Sequence, residues 1–201
     1  MKLPKLRPRQ LVFQWDSNHK RCQYWSDTIG QFFEEATASL TGGRRFATEN
    51  GVEYCPDVAI SPLVFAESKS VGRGGRMIMY ESRLQRELKW CIEHQVTIDY
   101  YIWRHRCDTK TCETETEILA ALASTCENVV VLGIVELAKY LDEHAPPSRI
   151  INNYGRMRGW HVPFTQLMKL TNAEKTRQRL TVLKHKIKHL PIHYYHEPDP
   201  F

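Results

Sequence analysis

Residues 54–76 constrain this chain more than any other stretch. Two apolar runs, Val58-Ala59-Ile60 and Leu63-Val64-Phe65-Ala66, flank Ser61-Pro62. That pattern predicts a hairpin of two short strands around a Ser-Pro turn. Side chains alternate along a strand, so Glu67 and Lys69 share a face. Asp57 stands at the start of the partner strand, behind Pro56, where a hairpin can bring it against them. Two carboxylates that close repel unless a cation lies between them. Hard oxygen ligands suit Mg²⁺ or Mn²⁺. Such an ion can activate a water and steady a phosphoryl oxygen, while Lys69 orients the nucleophile or neutralises developing charge. The plainer alternative is a surface hairpin with a solvated Glu and Lys.

The flanking segments predict an ordered α/β chain. Ser26 or Asp27 can cap a helix whose apolar face is Ile29, Phe32, Phe33, Ala36 and Leu40, and Thr41-Gly42-Gly43 stops it. A first strand follows over residues 44–48, with a turn at 49–51. After the hairpin, residues 71–76 form a Gly and Arg loop. Residues 77–94 predict a helix with Leu84, Leu88, Cys91 and Ile92 inside. Residues 97–103 are β-branched and aromatic, a strand. Residues 114–124 predict a helix with an acidic start that suits its dipole. Residues 128–134 read as a strand buried on both faces, and 136–144 as a short helix ended by Ala145-Pro146-Pro147. Together these give a mixed sheet with helices on both faces.

Pro56-Asp57 and Glu67-Ser68-Lys69 resemble the two halves of the PD-(D/E)xK nuclease motif. The order helix, strand, strand, strand with Glu-x-Lys resembles the core of that superfamily over about residues 26 to 144. Gly30-Gln31-Phe32-Phe33-Glu34 is similar to the first-helix Gly-xxx-Glu of its resolvase-like and restriction-like members. The resemblance implies a restriction-endonuclease-like α/β fold and a Mg²⁺- or Mn²⁺-dependent DNA endonuclease. It makes Asp57, Glu67 and Glu34 the metal residues, with Glu35 the adjacent alternative to Glu34. Lys69 becomes the charge-stabilising residue, and Gln85 the helix glutamine that many members carry near the active site. Among members, Holliday junction resolvases and phage or mobile-element endonucleases are the most similar. A sequence-directed restriction-like or transposase-type enzyme, or an inactive DNA-binding protein of the same fold, stays open.

Charge placement points to DNA as the partner. The formal charge is +5 over 201 residues, and its distribution matters more than its size. Three segments result: a basic arm over residues 1–25, the nuclease core over 26–145, and a basic, aromatic helical extension over 146–201. The arm carries Lys2, Lys5, Arg7 and Arg9, with Tyr24 and Trp25 as aromatic surface. Arg44, Arg45, Arg73, Arg76, Arg156, Arg158, Lys184, Lys186 and Lys188 are the candidate phosphate contacts. Residues 152–161 mix basic, aromatic and glycine residues, which suits stacking on an unpaired base or a packed loop. Residues 165–190 predict a helix whose seam Leu180, Leu183, Ile187 and Leu190 suits a homodimer contact or docking on its own core.

No apolar run is long enough to span a bilayer, and Met1-Lys2-Leu3-Pro4 leads into no apolar signal core. A cytoplasmic location is expected. The six cysteines are then reduced. His105, Cys107, Cys112 and Cys126 could supply a zinc site, but their spacing lacks a CxxC pair and favours ordinary thiols. His193 and His196 form a His-x-x-His near the end of the chain, a weaker metal candidate.

Overall fold

A computed structural model describes residues 17–45, 56–109, 111–144, 147–152 and 155–171. The elements run α1 (Ser17–Thr41), β1 (Arg44–Arg45), β2 (Val58–Ser61), β3 (Val64–Val71), β4 (Arg76–Tyr80), α2 (Glu81–His94), β5 (Thr97–His105), α3 (Glu115–Thr125), β6 (Cys126–Gly133), α4 (Ile134–His144), β7 (Ser148–Asn152), β8 (Gly155–Pro163) and α5 (Phe164–Leu170). The main sheet has the order β1-β2-β3-β5-β6. Its β1–β2, β2–β3 and β5–β6 pairs are antiparallel, and β3–β5 is parallel. The parallel pair needs a crossover, which β4 and α2 supply. A second sheet, β4-β8-β7, is antiparallel throughout.

Strand β5 divides the interior. Tyr101 and Trp103 point into one apolar cluster with Phe33 of α1, Ile118 of α3 and Ala66 of β3. Ile98, Tyr100 and Ile102 point into the other, with Leu84 of α2, Leu137 of α4, Met79 of β4 and Phe164 of α5. The main sheet is therefore covered on both faces. The fold is mixed α/β, with a mixed sheet flanked by helices.

Local chemistry accounts for most boundaries. Gly42, at φ +72°, ends α1 in the left-handed region that other residues avoid. Thr114 and Glu117 form a reciprocal capping box at the start of α3, each side chain meeting the other's backbone N–H. Ser61 Oγ accepts the N–H groups of Leu63 and Val64 and so fixes the hairpin turn.

Four expectations change. Helix α1 starts at Ser17 rather than near Ser26, and Trp25 is buried against the first cluster instead of forming aromatic surface. Arg76–Tyr80 is a strand, not the first turn of α2, because its alternating Met77 and Met79 fill the second cluster. Residues 155–163 are a strand rather than a loop, and the partly buried Trp160 packs against the second cluster. Past Pro147, residues 159–163 of β8 pair with the whole of β4, so these residues continue the interior of the preceding segment. The described helix there is the short α5, and the seam at 180–190 lies outside the described residues. So do 1–16 of the basic arm, residues 46–55, and Lys184, Lys186, Lys188, His193 and His196. Among the described residues no helix is long and apolar enough to cross a membrane.

The second sheet leaves no room over Gly159. A Cβ there would collide with the Met79 carbonyl oxygen and lie 3.0 Å from Tyr80 Cα, both backbone atoms of β4. Gly159→Ala is expected to destabilise the fold by about 1–3 kcal/mol through overpacking. An unchanged urea midpoint for that variant would contradict this packing.

Candidate active site

The hairpin register builds the site. Val58 pairs with Ala66, which carries Asp57 opposite Glu67. Val58 and Ala66 point to the first cluster, so Asp57, Glu67 and Lys69 point to the opposite face, toward α2. Asp57 Oδ2 accepts the backbone N–H of Ser68 at 2.7 Å, which locks the carboxylate beside β3. Glu67 is 0% exposed and Lys69 17%. Lys69 Nζ donates to Glu67 Oε1 and lies 5.9 Å from the centroid of the Tyr100 ring.

Helix α1 enters through a hydroxyl relay. Trp103 Nε1 donates to Thr37 Oγ1 at 2.9 Å, and Thr37 Oγ1 lies 3.3 Å from Ser68 Oγ. This fixes α1 against β3 between the two catalytic candidates, Glu67 and Lys69. One turn before Thr37 is Glu34, held by Arg45 at 2.5 Å. The charge of Glu34 reaches Asp57, so Glu34, rather than Glu35, belongs with the cluster.

Helix α2 contributes two residues that sequence reasoning missed. Arg83 donates through Nη2 to Glu67 Oε1 and through Nε to Glu87 Oε1 at 2.7 Å. Glu87 is 0% exposed, and its Oε2 has no hydrogen-bond partner. The signal was in the sequence: Glu87 stands three residues after Leu84 and four before Cys91, inside the apolar stripe of the helix. A charge at a core position needs a partner, and Arg83 is one turn away. Gln85 is the correction. It lies off that stripe and is exposed, so it does not join the cluster.

Acids outnumber bases in the site. Glu34, Asp57, Glu67 and Glu87 are four carboxylates facing the three cations Arg45, Lys69 and Arg83. Burial pushes Asp57 well above its ordinary value, and the charge of Glu67 adds to it. Lys69 pulls it back, Glu34 raises it further, and the Ser68 N–H lowers it. Burial and then Glu67 also raise Glu87, against Lys69 and Arg83. For Arg83, burial acts to lower the value, but Glu67 and Glu87 outweigh it and the net shift is upward. Among the described residues no group of three or more His, Cys, Asp or Glu side chains stands as a ready-made metal cage. The donor set nonetheless fits a hard divalent cation. Its oxygens, on Asp57 and Glu67, are carboxylate, and a positive charge would relieve the Glu67 repulsion that adds to burial in raising Asp57.

The basic candidates divide. Arg44 and Arg76 are exposed. Arg73 is tied to Asp108 at 2.7 Å and Arg158 to Glu81 at 3.2 Å. Arg156 lies in β8 by its backbone. Burial raises Cys107 to about 11, with Cys112 adding to it, and raises Cys126 to about 12. These groups therefore stay neutral thiols. Comparison of the chain with models of protein families, with curated proteins and with solved structures finds no match.

The raised Asp57 makes the site a cost to the fold. Ionised Asp57 disfavours the folded state increasingly as pH rises from the ordinary value of 3.8 through the higher folded value. Asp57→Asn keeps an oxygen for the Ser68 N–H and removes the charge. It is expected to raise Tm at neutral pH, by about 2–4 °C per kcal/mol relieved, with the gain shrinking in acid. Melting curves from pH 4 to 8 check it, and a Tm lowered at neutral pH would contradict the charge argument.

Proposed function

We propose that this chain is a metal-dependent DNA endonuclease of the PD-(D/E)xK type, hydrolysing phosphodiester bonds, with branched DNA as its substrate class. One observation carries the reading. Asp57, just before β2, lies opposite Glu67 of β3, with Lys69 on the same face and more acids than bases around them. Support comes also from the order of elements: a helix bearing Glu34, three antiparallel strands, and a helical crossover to a parallel strand.

Asp57 and Glu67, with Glu34 beside them, are the residues that would hold Mg²⁺ or Mn²⁺. When bound there, the ion supplies Lewis acidity for activating a water and steadying a phosphoryl oxygen. The chain's own groups do the rest. Lys69 Nζ, anchored on Glu67, orients the attacking water or neutralises charge that develops on the phosphorus oxygens. The bond to the 3′ oxygen breaks as the water oxygen bonds to phosphorus. Arg45 pairs with Glu34 at 2.5 Å, and the charge of Glu34 is felt at Asp57. Arg44 and Arg76 are free to meet the DNA backbone at the surface, and the exposed Arg73 and Arg158 are held by surface ion pairs weak enough to exchange for phosphate.

Asp57→Ala and Glu67→Ala are expected to abolish Mg²⁺-dependent cleavage and leave DNA binding nearly intact. Lys69→Ala is expected to lose about 3 kcal/mol of transition-state stabilisation, roughly a hundredfold in rate. The assay compares a four-way junction with linear duplex of the same sequence. Full cleavage by either carboxylate variant would sink the site. Equal cutting of junction and duplex would sink the branched-substrate part alone.

Binding should also depend steeply on salt, with a log–log slope of ~0.9 per phosphate contact. The double substitution Arg44→Ala and Arg76→Ala is expected to reduce that slope by close to two contacts. An unchanged slope would remove both arginines from the interface.

A further inference from the structure

Arg83 sits where a chemist would look for an adventitious tie, yet its geometry is specific. Its guanidinium spans two fully buried carboxylates, Glu67 on β3 and Glu87 on α2. The side chain is itself 34% exposed, so it has solvent to move toward. It shares Glu67 Oε1 with Lys69. That oxygen therefore meets two cations, while Glu87 Oε2 meets no hydrogen-bond partner. The charge is unevenly distributed: Glu67 is crowded with donors, and Glu87, one side chain away, has capacity left.

We propose that Arg83 is a latch on the site, holding Glu67 until a divalent cation binds and then withdrawing onto Glu87. The inference rests on the reading of Asp57 and Glu67 as metal residues. Positive charge on Glu67 Oε1 competes with any cation that needs the same carboxylate. A cation arriving between Asp57 and Glu67 repels the guanidinium. Arg83 Nε already donates to Glu87 Oε1, and the orphan Oε2 can accept a second N–H, which makes the pair bidentate. The arrangement has two states with the same charges differently paired. Glu87 is then a positioning residue, which receives Arg83 and does not touch the metal.

Calorimetry with Mn²⁺ on the full chain tests this, using wild type, Arg83→Met, Glu87→Gln and the two combined. Arg83→Met is expected to bind Mn²⁺ roughly tenfold more tightly, the scale of removing one positive charge a few Å from a divalent ion in a partly screened site. Glu87→Gln is expected to bind more weakly, because Arg83 is left to Glu67 alone. The combined variant decides the matter, since it changes no net charge. A latch predicts that it binds more tightly than wild type. Affinity equal to wild type would reduce Arg83 to a background charge and overturn the latch. Affinity well below wild type would make Glu87 a metal ligand, and would overturn it equally. The combined variant also removes the buried pair as a unit, which folds tolerate better than half a pair, and a thermal melt verifies that it is folded. Heat from none of the four proteins would remove the metal reading itself, and the latch with it.

Discussion

A carboxylate with no solvent exposure on an inner strand is the constraint that the rest of this fold answers to. Strand β3 lies between β2 and β5, and Glu67 faces inward from it. An isolated charge there would cost several kcal/mol in lost hydration. Lys69, two residues along the same face, answers part of that cost, and Arg83 answers the rest from α2. Arg83 can do so only because α2 lies across the sheet at the right height. That placement depends on β4, which precedes α2 directly and is pinned by pairing with β8. The second sheet is thus a support for the site, although none of the four carboxylates lies on it.

The other side of the sheet is held differently. There the contacts that tie α1 to β3 and β5 are neutral: the Trp103 indole, the Thr37 hydroxyl and the Ser68 hydroxyl, packed beside aromatic side chains. Neutral hydrogen bonds cost little to bury when they are made, so this layer can be rigid without a compensating ion. Its function is to set α1, and with it Glu34, relative to β3. Two kinds of polar chemistry are therefore divided by one strand. A dry, neutral network holds one face, and a charged, under-compensated cluster occupies the other.

What was legible in the sequence followed from period and punctuation. The period-2 runs around Ser61-Pro62 specified the hairpin, and alternation alone put Glu67 with Lys69. Gly42 marked the end of α1, and the β-branched run around Ile102 marked β5. Where reading failed, two signals competed. Met77-Ile78-Met79-Tyr80 are compatible with helix and abut a strong helical pattern, yet pairing with β8 decides for strand. Residues 17–25 lack a clean apolar face and were not assigned to α1, although Trp25 anchors that turn in the core. Gln85 matches a motif by likeness, but its helix face is exposed. The helical stripe itself put Glu87 inward, and a buried acid at that position was the stronger clue.

Charge balance makes this cluster costly for the fold to keep. Replacing a buried ion pair by apolar residues of similar volume is often neutral or stabilising, whereas losing one partner is costly. Here the pairing is not even complete: burial and mutual repulsion raise both Asp57 and Glu87. A surface origin for these charges is excluded by the 0% exposure of Glu67 and Glu87. The fold spends stability to keep acids together that would be better apart. Buried acids raised in this way occur at functional sites and in structural ion-pair networks alike. Lys69 and Arg83 moderate the repulsion without cancelling it. Burial remains the larger part of the strain on Asp57 and Glu87, and the charge of Glu67 adds to it at both.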